Sequence, residues 1–142
     1  MILRQLNCNK AKLCHDNICQ WLTSDKEPVL YLLQEPVYYR DRLASIPQGF
    51  QAFGEKKSRA IIIAPAITNL IYVPEFSDDD ITVCLLNSGK VTRYIVSLYS
   101  DIHKGTIHPK LLELADFLAD TNGNAIIGMD SNSWSVLCLW NS

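Results

Sequence analysis

The stretch Asn124-Ala-Ile-Ile-Gly-Met-Asp-Ser-Asn132 ends an apolar run in a carboxylate and a carboxamide two residues apart. Short apolar runs bounded by turn residues read as buried strands. Open α/β sheets bind ligands beyond the carboxyl ends of their strands, so Asp130 and Asn132 stand where chemistry is expected. Such a pair can orient a water and hold a phosphate oxygen. Taken alone, the stretch reads better as a strand followed by an Asx-type turn. Three other apolar runs end in the same way: in Asn7 with Asn9, in Glu35, and in Tyr99. A carboxylate with few neighbours suits Mg²⁺, which prefers oxygen ligands and keeps several waters. Amides and a phenol add neutral donors for a phosphate. Each group also has a plainer role. Asn7 and Asn9 can cap a following helix, Glu35 can be a solvated strand end, and Tyr99 can be an amphipathic core aromatic.

The elements that must position these groups can be read from periodicity. Ile2 to Leu6 reads as a strand. Ala11, Cys14, Ile18, Trp21 and Leu22 recur at helical spacing, which predicts a helix over roughly residues 10 to 23. Val29 to Leu33 is a second strand, and the spacing favours a parallel pair with a right-handed crossover. Residues 37 to 57 read as irregular. The basic cluster Lys56-Lys57-Ser58-Arg59 leads into a strand over Ala60 to Ala64 and reads more readily as a solvated lead-in than as a DNA contact. Thr68 to Val73 reads as a strand, and Ile81 to Leu86 and Val91 to Leu98 flank the hairpin signal Asn87-Ser88-Gly89-Lys90. Pro109 can open a helix with Leu111, Leu112, Ala115, Leu118 and Ala119 on its apolar face, closed by Thr121-Asn122-Gly123 in the manner of a glycine cap. His103 and His108 read as loop and helix-start residues rather than acids.

The chain has 142 residues, 48% of them hydrophobic and 20% charged, which suits one globular domain rather than disorder. Net charge is −2, so no global electrostatic footprint for nucleic acid appears, although a local basic groove is compatible with it. The longest apolar runs are far short of a membrane span, and the first residues show no signal peptide. The five cysteines, Cys8, Cys14, Cys19, Cys84 and Cys138, form no C-x-x-C. Reduced thiols in an intracellular setting, nuclear or cytoplasmic, are the expectation.

In order along the chain, Asn7-Cys8-Asn9, Leu33-Gln34-Glu35, Ser97-Leu98-Tyr99 and Gly128-Met129-Asp130-Ser131-Asn132 resemble the motifs of the endonuclease/exonuclease/phosphatase superfamily. Arg59-Ala60-Ile61-Ile62-Ile63 and the C-terminal Trp loop resemble the apurinic-endonuclease-like domain of non-LTR retrotransposons. The resemblance runs from residue 2 to about residue 140. It implies a four-layer α/β sandwich, two mixed sheets face to face with helices outside. It also implies Mg²⁺-dependent cleavage of a DNA phosphodiester, with Mn²⁺ as a substitute ion and a reverse transcriptase region downstream in the parent protein. By that carry-over Glu35 ligates the metal with support from Asn7, and Asn9 sits where relatives carry Asp or Asn. Tyr99 bonds the scissile phosphate, Asp130 orients or deprotonates the attacking water, and Asn132 holds a phosphate oxygen. The cation and fixed donors would offset charge that builds on the phosphoryl oxygens.

The chain departs from the family pattern in two places. Trp134 stands near a position where relatives carry His. The family's later Asp and final Ser-Asp-His segment have no counterpart before Ser142. Residues 1–142 are therefore expected to form a partial domain, incomplete at the C-terminus and with little activity alone. The missing part is expected to supply strands of the second sheet and leave the first with an exposed apolar face. The alternatives are a non-catalytic remnant, or a phosphoesterase of the same fold acting on a substrate other than nucleic acid.

Overall fold

A computed structural model of the chain describes residues 2–24, 27–89, 91–100, 107–130 and 137–139, with backbone alone for 22–24, 88, 130 and 137–139. β1 (Ile2–Asn7) leads into α1 (Lys12–Ser24), and β2 (Val29–Gln34) returns parallel to β1. A small ribbon follows, β3 (Tyr38–Tyr39) with β4 (Arg42–Leu43), and then β5 (Phe50–Phe53) and β6 (Ala60–Pro65). β7 (Leu70–Tyr72), a 3₁₀ turn over Pro74–Phe76, β8 (Ile81–Ser88) and β9 (Val91–Tyr99) come next. The described elements close with α2 (Pro109–Thr121), β10 (Asn124–Asp130) and β11 (Leu137–Leu139). Two mixed sheets result, β1-β2-β6-β5 and β11-β10-β9-β8-β7.

Apolar alternation sorts the side chains into layers. On one face of the first sheet, Tyr31, Leu33, Ile61 and Ile63 pack against Ile18 of α1. On the other, Leu30, Leu32, Ile62 and Ala64 meet Cys84, Leu86 and Ile95 of the second sheet. The outer face of that sheet, through Val83, Val96, Leu98 and Ile127, takes Leu114 and Leu118 of α2. The order is helix, sheet, sheet, helix: the expected four-layer α/β sandwich. Strands covered on both faces read as continuous apolar runs, and every residue of β2 and β6 is buried.

Three expectations are corrected. The first sheet does not expose an apolar face, because five strands of this same chain build a second sheet across it. The region 37–57 is not wholly irregular: it holds the β3–β4 ribbon and β5, an edge strand too short for a clear period. α2 is closed by Asn122 in the left-handed region (φ 53°), not by a glycine there. Gly123 packs closely instead, since a Cβ on it would lie 2.5 Å from Leu118 Cδ2 and would make that side chain shift.

Candidate active site

Parallel pairing brings the strand ends together two by two. β1 and β2 pair with Asn7 opposite Gln34, which sets Asn7 beside the Glu35 turn. β9 and β10 pair with Tyr99 opposite Asp130. Two antiparallel neighbours begin where these end: Gln34 faces Ala60 of β6, and Leu98 faces Ile81 of β8. Arg59 and Asp80 therefore sit beside Glu35 and Tyr99. Asn7, Glu35, Tyr99 and the backbone of Asp130 thus share one rim of the sandwich. Asn132, Trp134 and His103 lie outside the described residues.

Short hydrogen bonds stitch the turns at this rim. The Cys8 amide donates to Gln34 O (2.8 Å), Lys10 to Glu35 O (2.9 Å) and Glu35 to Arg59 O (2.8 Å). Asn7 Oδ1 accepts the Asn9 amide at 2.7 Å, an Asx turn. Asn9 (φ 47°), Lys10 (φ 56°) and Glu35 (φ 50°) all occupy the left-handed region, which costs a non-glycine residue about 1–2 kcal/mol. Strain of this kind gathers at functional sites, and here three such residues share one rim. The neighbouring structure holds Glu35 in place. Behind it, His15 of α1 is buried and its Nε2 accepts the Val37 amide at 2.8 Å. Burial holds that imidazole below its ordinary value.

Beneath the rim runs a polar seam between the sheets. Gln34 is fully buried. Its Oε1 accepts from Gln5 Nε2 (2.8 Å), and its Nε2 donates to Ser97 Oγ (3.0 Å) and Gly128 O (3.3 Å). Ser97 Oγ donates in turn to Leu33 O (3.1 Å), and Gln5 Nε2 to Met129 O (3.1 Å). A Cβ on Gly128 would lie 2.6 Å from Leu32 Cδ1, so β10 runs close against the first sheet at this glycine and a larger residue would make Leu32 shift. Beside Tyr99, the Arg59 guanidinium lies 4.3 Å from the ring centroid. Its Nε and Nη2 donate to the two Asp80 carboxylate oxygens at 2.6 and 2.8 Å.

Sequence reasoning missed Gln34, Ser97, Gln5 and the Arg59–Asp80 pair as site groups. The available signal was a polar residue in or at the end of an apolar run: Ser97 between Val96 and Leu98, and Gln34 directly after Leu33. His108 is the N-cap of α2, with Nδ1 accepting the Lys110 amide, in line with its reading as a helix-start residue. Lys56 and Lys57 both pair with Asp41, at 3.1 and 3.3 Å, and hold its carboxyl below the usual range. They border an open cleft of about 500 Å³ lined also by Tyr38, Arg42 and Phe53.

The donor set can be tested against a divalent cation. Among the described residues, no hydrogen bond or ion pair engages the Glu35 carboxylate. No group of three or more His, Cys, Asp or Glu residues that could hold a metal occurs among them either. A closed zinc-type cage is thus not formed by the described residues. One carboxylate with an amide oxygen nearby suits Mg²⁺, which binds through one or two carboxylates and keeps its waters.

Two mixed sheets face to face between outer helices, with polar groups at a shared rim, define the chain as a four-layer α/β sandwich. No family model matches the sequence, and no curated protein matches it significantly. Among solved structures it is similar to the endonuclease domain of TRAS1, a telomere-specific non-LTR retrotransposon, with a TM-score of 0.68 and 20% sequence identity. The match covers 92% of this chain and 58% of the TRAS1 one. The resemblance read from the motifs therefore holds for the fold.

Proposed function

We propose that the chain is part of a retrotransposon-type endonuclease domain that cleaves DNA phosphodiesters with Mg²⁺. The observation that supports this most is the shared rim: Asn7, Glu35 and Tyr99, with the end of β10 at Asp130, come from both sheets to one place. Glu35 would hold the cation with Asn7 in support; Mn²⁺ would serve as a substitute. When bound, the cation offsets charge on the phosphoryl oxygens. Tyr99 donates its hydroxyl to a phosphate oxygen. Asp130 orients the attacking water, and Asn132 holds a further phosphate oxygen. The chain spans 58% of the TRAS1 domain, and we propose that residues 1–142 alone cut DNA poorly or not at all.

Calorimetric titration of the purified chain with Mg²⁺ tests the reading. Binding is expected in the wild type and is expected to be lost in Glu35→Ala with the fold retained. A folded wild type that takes up no Mg²⁺ or Mn²⁺ would end the metal assignment. Robust plasmid nicking by the isolated chain, abolished in Glu35→Ala, would keep the nuclease reading and refute the proposed inactivity.

A further inference from the structure

We infer that Arg59 is a positioning residue of the rim, fixing the Tyr99 ring against the first sheet and so setting the separation between the Glu35 and Tyr99 halves of the site. The inference rests on reading the rim as a phosphodiester site. Three independent contacts carry it. The guanidinium lies over the Tyr99 ring at 4.3 Å. The same guanidinium forms a two-point fork with Asp80, at 2.6 and 2.8 Å. The Arg59 backbone is tied on both sides, its carbonyl to the Glu35 amide (2.8 Å) and its amide to Asp79 O (2.7 Å). Asp80 O in turn accepts the Tyr99 amide at 2.8 Å.

These bonds link Glu35, Arg59, Asp80 and Tyr99 from the first sheet to the second. Arg59 reaches both halves, Glu35 through its carbonyl and Tyr99 through its guanidinium. A planar guanidinium suits this place. It can stack on a ring while its edge forks onto a carboxylate, and a lysine ammonium cannot do both. The side chain of Arg59 is 41% exposed and that of Asp80 21%, so the fork is only partly covered. Its value is then geometric more than a matter of bulk stability. A phosphate oxygen reaching the Tyr99 hydroxyl would meet a ring already held in place, with less ordering to lose on binding.

The experiment uses the chain labelled with ¹³C-ring tyrosine, the Tyr99 signal being assigned by comparison with Tyr99→Phe. Ring ordering by NMR relaxation is the first readout. Wild-type Tyr99 is expected to be rigid. In Arg59→Met and in Asp80→Asn it should loosen towards the behaviour of Tyr39, which is 55% exposed. Arg59→Lys should fall between, and it replaces the methionine variant if that one fails to fold. The second readout is binding of thymidylyl-thymidine with Mg²⁺, which should weaken at least about tenfold in both variants. Asp80→Asn is informative because it keeps the cation and removes the fork. A Tyr99 ring as ordered in both folded variants as in the wild type would overturn the inference. So would dinucleotide binding lost in Arg59→Met and untouched in Asp80→Asn, which would make Arg59 a direct charge contact. A ring that loosens while the wild type binds no dinucleotide upholds the anchoring by Arg59 and sinks only the phosphodiester reading.

Discussion

At the scale of single residues, the rim depends on a group that does no chemistry. Gln34 spends its amide on Gln5, Ser97 and Gly128. Replacing it with leucine keeps the volume and strips buried partners of their hydrogen bonds, which costs about 1–3 kcal/mol. Gln34→Leu should therefore lower the urea midpoint with an unchanged slope. A midpoint equal to wild type would mean the seam is incidental. Glu35 and Asn7 were legible in the sequence because each follows an apolar run and sits at its carboxyl end. The Arg59–Asp80 fork was not. Its two halves are 21 positions apart, and only the antiparallel registers of β6 and β8 bring them together. No spacing rule along one chain anticipates a contact made by two separate hairpin-like returns.

At the scale of elements, α1 does more than cover the first sheet: His15 holds the loop that follows Glu35. Protonating Nε2 removes the lone pair that accepts the Val37 amide. The folded imidazole sits below its ordinary value of 6.5, so the unfolded chain binds more protons in the window beneath that value, and stability falls as pH drops through it. Thermal melts from pH 7.5 to 5 should show a larger loss for the wild type than for His15→Gln; parallel curves would exclude this histidine as the cause. β10 makes the second element-scale test. Gly128→Ala should cost about 1–3 kcal/mol, because the new methyl collides with Leu32. In a Leu32→Ala background the added cost of Gly128→Ala should be smaller than in the wild type, and strict additivity of the two changes would refute the contact. α1, β2, β6 and the β8–β9 hairpin were readable because each carries a full period of its pattern. β5 and the β3–β4 ribbon were not. Strands of two to four residues hold too little alternation, and the pairing partner decides them.

At the scale of the whole molecule, four layers were foreseen from the resemblance, and the layering follows from three separate apolar clusters. The middle cluster is shared by both sheets, so their docking is the event that completes the core. Amide exchange should then sort by layer. β2, β6 and the buried end of β9 should exchange only through global opening, and the ribbon β3–β4 at least about 3 kcal/mol sooner. Equal protection throughout would argue against layered opening. The pairing of β9 with β10, made late along the chain, has a further consequence for synthesis. A polypeptide still leaving the ribosome already carries Asn7, Glu35 and Arg59, the first-sheet side of the rim. Its second-sheet side waits until Tyr99 has emerged and β10 has slotted in beside it. A half-translated chain thus presents the Glu35 carboxylate with nothing opposite, and the two described sides of the rim first meet only once translation has passed Asp130.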